Sequence, residues 1–134
     1  MQQILTDHNC EGQARLIFQT LRHTGYLSFM AMELITFADI GLHHSTDDEI
    51  VWRLCQERSY LLLTGNRTGT DKDEALEFVI RRYVTATILP GITISNLKRV
   101  KPDPLYRKRC AESLAEIIFD LERYRGVTRL FIPE

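Results

Sequence analysis

Asp7 directly follows a short apolar run, Ile4-Leu5-Thr6, and precedes His8-Asn9-Cys10-Glu11-Gly12, where the chain turns toward a helix. A carboxylate at the end of a buried strand needs partners to offset its desolvation. In open α/β sheets, ligands gather beyond the carboxyl ends of the strands. Three further groups share this kind of address: Asp47 with Asp48, Asn66, and Asp71 with Asp73, each near a strand end or a helix start. In a parallel sheet those positions lie on one edge, so the groups can converge. Two or three oxygen ligands on a rigid edge suit Mg²⁺ or Mn²⁺, which keep several waters. Such an ion activates water and neutralises charge developing on a phosphodiester.

Each group also has an ordinary role. Asp47, Asp48 and Glu49 fall in the first turn of a helix, where the macrodipole favours carboxylates, and Asp71 and Asp73 do the same. Asn66 is a common turn residue, and Asp7 can cap the helix that follows it. His8 is a candidate for orienting a ligand or acting as a base, or a plain surface group. His43 and His44 are adjacent, so their side chains are expected to diverge, and no third ligand stands at a zinc-like spacing. Arg67, Lys98, Arg99 and Lys101 are candidate phosphate contacts. The last three belong with Arg107, Lys108 and Arg109 to a basic segment that reads either as a solvated helix start or as a nucleic-acid patch.

The elements that must position these groups follow from hydrophobic spacing. Gln3–Thr6 reads as a strand, and Glu11–His23 as a helix with Ala14, Ile17, Phe18 and Leu21 inward and Gly25 as its stop. Leu27–Met32 reads as an internal strand, and 33–45 as a connection with one short turn. Thr46 and Glu49 form a capping-box pattern for a helix over about 47–58, with Ile50, Val51, Leu54 and Cys55 as its stripe. Tyr60–Thr64 is a buried strand. Asp71-x-x-Glu74 opens a helix with Ala75, Phe78, Val79 and Arg82 spaced along its length, and Ile92–Ser95 is a strand. Asp103 and Pro104 are the N-cap and first residue of a long helix ending at Gly126. Arg129–Ile132, before Pro133, is an edge strand. This alternation predicts a single domain over 1–134 of the three-layer α/β/α class, with a mainly parallel sheet of four or five strands.

Composition sets the wider bounds. The net charge of −1 hides an asymmetry: two arginines face seven acids in residues 1–50, net −5, and the remainder sums to +4. Three cysteines, an odd number with no CxxC pair, cannot form a closed disulfide framework and fit a reducing, cytoplasmic setting. No run approaches the length of a membrane span, and no leader pattern opens the chain.

The order of these motifs resembles the PIN-like nucleases, in particular their small stand-alone bacterial branch. The resemblance spans about residues 3–68. Asp7 matches the first acid of that family, and Thr64 matches the Thr of its Thr-x-Asp-x-Asp motif. Counting back from Thr64 puts Asp48 at the helix-start acid, with Val51 in the place of its Ile. The segment Leu89–Arg99 resembles a group of uncharacterised bacterial relatives. Asn66 and Thr68 stand where the motif has two acids. The resemblance implies a PIN-like fold and a Mg²⁺- or Mn²⁺-dependent ribonuclease of toxin–antitoxin or RNA-processing type. Asp7 and Asp48 would be metal ligands, Asn66 a neutral ligand or water-positioning group, and Asp71 or Asp73 a further acid. It also implies RNA as substrate, an inhibitory protein partner and a homodimer. The alternative is a catalytically silent PIN-like domain that dimerises or binds a partner or nucleic acid. A phosphotransfer domain with Asp7 as nucleophile lacks a glycine-rich phosphate cradle.

Overall fold

Apolar side chains alternate between two faces along the central strands, and that alternation builds the molecule. The computed structural model describes residues 1–66 and 71–133, without the side chains of 71–73. Its strands are β1 (Gln2–Thr6), β2 (Met32–Ile35), β3 (Leu61–Gly65), β4 (Gly91–Ile94) and β5 (Arg129–Ile132). Its helices are α1 (Glu11–His23), α2 (Asp48–Arg58), α3 (Asp71–Arg82) and α4 (Pro104–Phe119). The sheet is parallel throughout, in the order β2-β1-β3-β4-β5. Ile4, Leu61, Leu63, Ile92 and Ile94 pack under α1 and α4, while Leu5 and Leu62 face α2 and α3. The result is the expected α/β/α sandwich with five strands. Among the described residues no helix is long and apolar enough to cross a membrane.

In this strand order the chain reverses direction across the sheet between β1 and β3, which makes their carboxyl ends the crevice where ligands bind in doubly wound folds. The connections through α1, α2 and α3 share one hand. The connection through α4 has the other, because α4 moves rightward with α2 and α3 yet packs on the face of α1. To get there, residues 95–103 cross the carboxyl edge of the sheet.

Several local expectations are corrected. Leu27–Met32 is not a strand: Gly25, at φ 87°, leads into a 3-10 turn over Tyr26–Ser28, with Ser28 Oγ donating to the Gly25 carbonyl. Pairing with β1 instead selects Met32–Ile35, from Gln2 opposite Met32 to Leu5 opposite Ile35. The 33–45 connection thus begins inside a strand and then makes a 3-10 turn at Ala38–Ile40. No capping box forms at α2, because Thr46 Oγ1 donates back to the His43 carbonyl at 2.6 Å and Glu49 accepts from Tyr83 Oη at 2.7 Å. Asp47 is the N-cap. Trp52 replaces Ile50 in the buried stripe of α2, with Ile50 53% exposed. In α3 the buried stripe is Leu76, Val79 and Ile80, with Phe78 67% exposed. The long C-terminal helix stops at Phe119, and a 3-10 turn at Leu121–Tyr124 follows. Asp103 and Pro104 start α4 as expected, with Asp103 Oδ1 accepting from the Tyr106 N–H at 3.1 Å.

Gly126 is required where it stands. It has φ 86°, and a Cβ there would lie 3.1 Å from the Ala86 carbonyl oxygen. Gly126→Ala is therefore expected to cost about 1–2 kcal/mol, read as a lower denaturation midpoint with an unchanged m-value.

All three cysteines are buried thiols. Burial pushes Cys55 up to about 12 and Cys110 up to about 11, from an ordinary value of 9.0. A raised native pKa supplies stability that is full below the unfolded value and is lost as pH climbs through the native one. Melting temperature should accordingly fall progressively above pH 9, toward the native value of about 12 for Cys55. Cys55→Ala should flatten that alkaline limb in a pH series of thermal scans.

Candidate functional site

The backbone of Asp7 is tied down from both sides. Its N–H extends the ladder to the Leu63 carbonyl at 2.8 Å. Its carbonyl accepts from the Cys10 N–H at 3.1 Å and from Thr6 Oγ1 at 3.1 Å. Cys10 Sγ lies 3.3 Å from Thr6 Oγ1 and 3.6 Å from the carbonyl oxygens of Asp7 and Leu63, filling the floor beneath the strand end. The chain then turns through His8–Cys10 into α1. Asp7 is the N-cap of that turn, yet its carboxylate makes no capping bond. The rival structural role for this acid is thus not the one it plays.

On the α2 side, the turn His43–Thr46 folds back on itself. Besides the Thr46 bond to the His43 carbonyl, the Ser45 N–H donates to His43 Nδ1 at 3.1 Å. This brings Asp47 and Asp48 to the head of α2 facing the end of β1. Asp47 also makes no side-chain cap bond. The result is a cavity of about 260 Å³ whose walls include Asp7, Asn9, His44, Asp47, Asp48 and Thr64, over an apolar base of Leu62, Val51, Leu76 and Phe37. Asp7 and Asp48, far apart in the chain, line the same cavity, and both are half-buried.

Asn66 sits one residue beyond β3. Its N–H donates to the Ile94 carbonyl at 2.9 Å and its Nδ2 to the Ser95 carbonyl at 3.1 Å, so the amide bridges β3 to the end of β4 and is not among the cavity walls. Asp71 and Asp73 begin α3, but their side chains lie outside the described residues, as does Arg67 altogether.

The basic segment lies on the same edge. Leu97 packs on Gly65, where an added Cβ would meet its Cδ2 at 2.6 Å, and Lys101 Nζ passes over Gly12 at the start of α1. The loop is held by the Asn96 N–H on Tyr106 Oη at 2.8 Å and by Arg107, which donates to the carbonyls of Val100 and Lys101 at 2.9 and 2.7 Å. Arg99 is engaged at home: it donates to Asp103 Oδ2 at 2.8 Å and lies 4.4 Å from the Tyr106 ring centre. That bond holds the Asp103 carboxyl below its usual range, with the Tyr106 N–H adding to the effect. Lys98 and Lys101 are exposed.

Two site features were not legible beforehand. His44 lines the cavity, with the ring centres of His43 and His8 at 4.2 and 5.3 Å from its own, because the turn stacks neighbours that an extended chain would splay apart. Arg129, at the start of an edge strand, carried no sequence signal at all, and its side chain is only 6% exposed.

The donors present are hard oxygens: two carboxylates on one cavity, with Asp47 and the hydroxyls of Ser45, Thr46 and Thr64 beside them. That set fits Mg²⁺ or Mn²⁺, which need only one or two carboxylates and retain water. Among the described residues no three His, Cys, Asp or Glu side chains group closely enough to hold an ion by themselves. In comparisons with protein-family models, with curated proteins and with solved structures, none matches this chain.

Proposed function

We propose that the cavity between β1 and α2 is the centre of a divalent-metal-dependent ribonuclease of PIN-like type. The observation that carries this reading is the meeting of Asp7 and Asp48, from separate elements, in one cavity where neither Asp7 nor the neighbouring N-cap Asp47 is used to cap a helix. Asp7 and Asp48 would hold Mg²⁺ or Mn²⁺, which when bound supplies a lowered pKa for water and neutralises phosphodiester charge. The carboxylates themselves orient an attacking water by accepting its protons, and the apolar base of Leu62, Val51 and Leu76 keeps bulk water from below. Lys98 and Lys101 on the crossing loop attract the RNA backbone, an attraction that weakens as salt rises. The three buried thiols are consistent with a reducing, cytoplasmic setting.

The test is cleavage of single-stranded RNA with Mn²⁺ in large excess over the protein, against the same protein in excess chelator. Cleavage that appears with Mn²⁺ and disappears with chelation supports the reading; cleavage indifferent to metal removes it.

Asn66 favours a second reading, a silent PIN-like domain that works by dimerising or by binding a protein partner, since an amide already bridging to Ser95 adds no charge to a metal site. Asn66→Asp separates the two. Asn66 does not line the cavity, so a carboxylate there reaches a shared metal only once the bond to Ser95 is given up; where it does, Mn²⁺ binding should tighten about tenfold through the added ligand charge. Replacing the Nδ2 donor opposite the Ser95 carbonyl should cost about 1–2 kcal/mol of stability. Calorimetric titration of wild type and variant with Mn²⁺ reads the first effect, and denaturant unfolding the second. Absence of saturable Mn²⁺ binding in both proteins favours the silent domain.

A further inference from the structure

A buried cation on the edge strand β5 reaches the cavity along the α2/α3 face of the sheet. Arg129 donates from Nε to Thr93 Oγ1 at 2.8 Å and from a terminal nitrogen to Glu77 Oε1, on α3, at 2.7 Å. Thr93 is fully buried and stands opposite Thr64 in the β3–β4 register, with the two hydroxyl oxygens 3.2 Å apart. Thr64 is a wall of the cavity that holds Asp7 and Asp48.

The chemistry of these groups sets a direction. A guanidinium has donors and no acceptor, so Thr93 Oγ1 must accept from Arg129. The remaining proton of Thr93 then has Thr64 Oγ1 as its acceptor. If Thr64 were the donor instead, the Thr93 proton would be left in the interior without an acceptor among the described residues, and such a group is costly to leave unmade. With Thr93 donating, the Thr64 oxygen is satisfied from behind and its own proton turns outward into the cavity.

We propose that Arg129, clamped by Glu77, is a positioning residue that acts through Thr93 to make the Thr64 hydroxyl a fixed donor into the cavity. The identity of the acceptor rests on the ribonuclease reading above; the direction of the chain does not. Asp7 and Asp48 offer only acceptor oxygens when ionised, so an anionic phosphoryl oxygen needs a donor from another wall. Thr64 supplies it. Because the proton is aimed before the ligand arrives, the bond costs no reorientation as charge develops on that oxygen.

Two measurements test this. In a neutron structure of the deuterium-exchanged protein, the deuteron between the two threonines should belong to Thr93, with the Thr64 deuteron facing the cavity. A deuteron on Thr64 pointing at Thr93 overturns the proposal, whatever the protein cleaves. In the RNA assay, Thr93→Val breaks the chain without touching the cavity wall and should lower kcat about tenfold with KM little changed, the scale of one lost hydrogen bond to developing charge. Thr93→Ser should restore it. Thr64→Val combined with Thr93→Val should be no slower than Thr64→Val alone. A Thr93→Val protein that melts lower but keeps wild-type kcat shows Thr93 to be merely structural and overturns the proposal. A wild type that cuts no RNA sinks the ribonuclease reading alone, and the neutron result still decides the direction.

Discussion

Asp7→Asn is expected to lower kcat/KM for RNA cleavage by about a thousandfold or more, close to ~4 kcal/mol of transition-state stabilisation, because it removes a charged ligand from the cavity where phosphodiester charge must be neutralised. Stability should barely move. The backbone of Asp7 holds the strand end, through its N–H on Leu63 and the carbonyl that receives Cys10 and Thr6. Asparagine keeps that backbone and nearly the same volume, and the carboxylate makes no helix cap to lose. A melting temperature within about 3 °C of wild type, corresponding to under 1 kcal/mol for a domain of this size, is therefore expected. Asp48→Asn should match it in activity, and the double variant should be little worse than either single one, since two ligands of one site fail as a unit. Calorimetry with Mn²⁺ gives an independent reading, with saturable binding lost in either variant. Asp7→Asn protein that cleaves at the wild-type rate would remove Asp7 from the mechanism. A variant that is inactive and also melts far below wild type would show the carboxylate to be structural.

The parts of this molecule that were legible in the sequence are those where a single local signal decides. Leu61–Leu63 is apolar on both sides because β3 is central and covered by helices on both faces, and an uninterrupted run of that kind says so. Asp103-Pro104 announces α4 because the N-cap bond and the proline φ are properties of adjacent residues. Where two local signals compete, partners distant in sequence chose between them. Leu27–Met32 is as apolar as Met32–Ile35, and only pairing with β1 selects the second. Thr46 and Glu49 have the spacing of a capping box, but His43 and Tyr83 claim their side chains first. The site divides in the same way. Asp7 and Asp48 were legible from their addresses and line one cavity. Thr64 was singled out only as a motif residue, not for its contact with Thr93. The Arg129 chain, which joins β5, β4 and β3, exists only through tertiary register and leaves no trace in spacing or composition.

Arg129→Met tests how much of the fold hangs on that chain. A surface arginine would tolerate the change, since exposed ion pairs contribute little. Arg129 differs because its side chain is 6% exposed and its bonds to Glu77 and Thr93 measure 2.7 and 2.8 Å. Methionine fills most of the space but offers no donor, so Glu77 and Thr93 both lose a charged partner. Breaking a buried pair typically costs 3–5 kcal/mol, but the Glu77 side chain is 34% exposed and regains water on the open side. The expected loss is therefore about 2–3 kcal/mol, a melting temperature lower by roughly 6–12 °C. Salt distinguishes this from a surface effect. An exposed pair fades when the Debye length falls to about 3 Å at 1 M, whereas the difference between Arg129→Met and wild type should persist there. Glu77→Gln keeps one acceptor oxygen for the guanidinium and should lose less than Arg129→Met. If Arg129→Met melts with wild type, or if the difference vanishes in high salt, the guanidinium is not a structural hub. The cavity wall at Thr64 would then owe its position to the sheet alone.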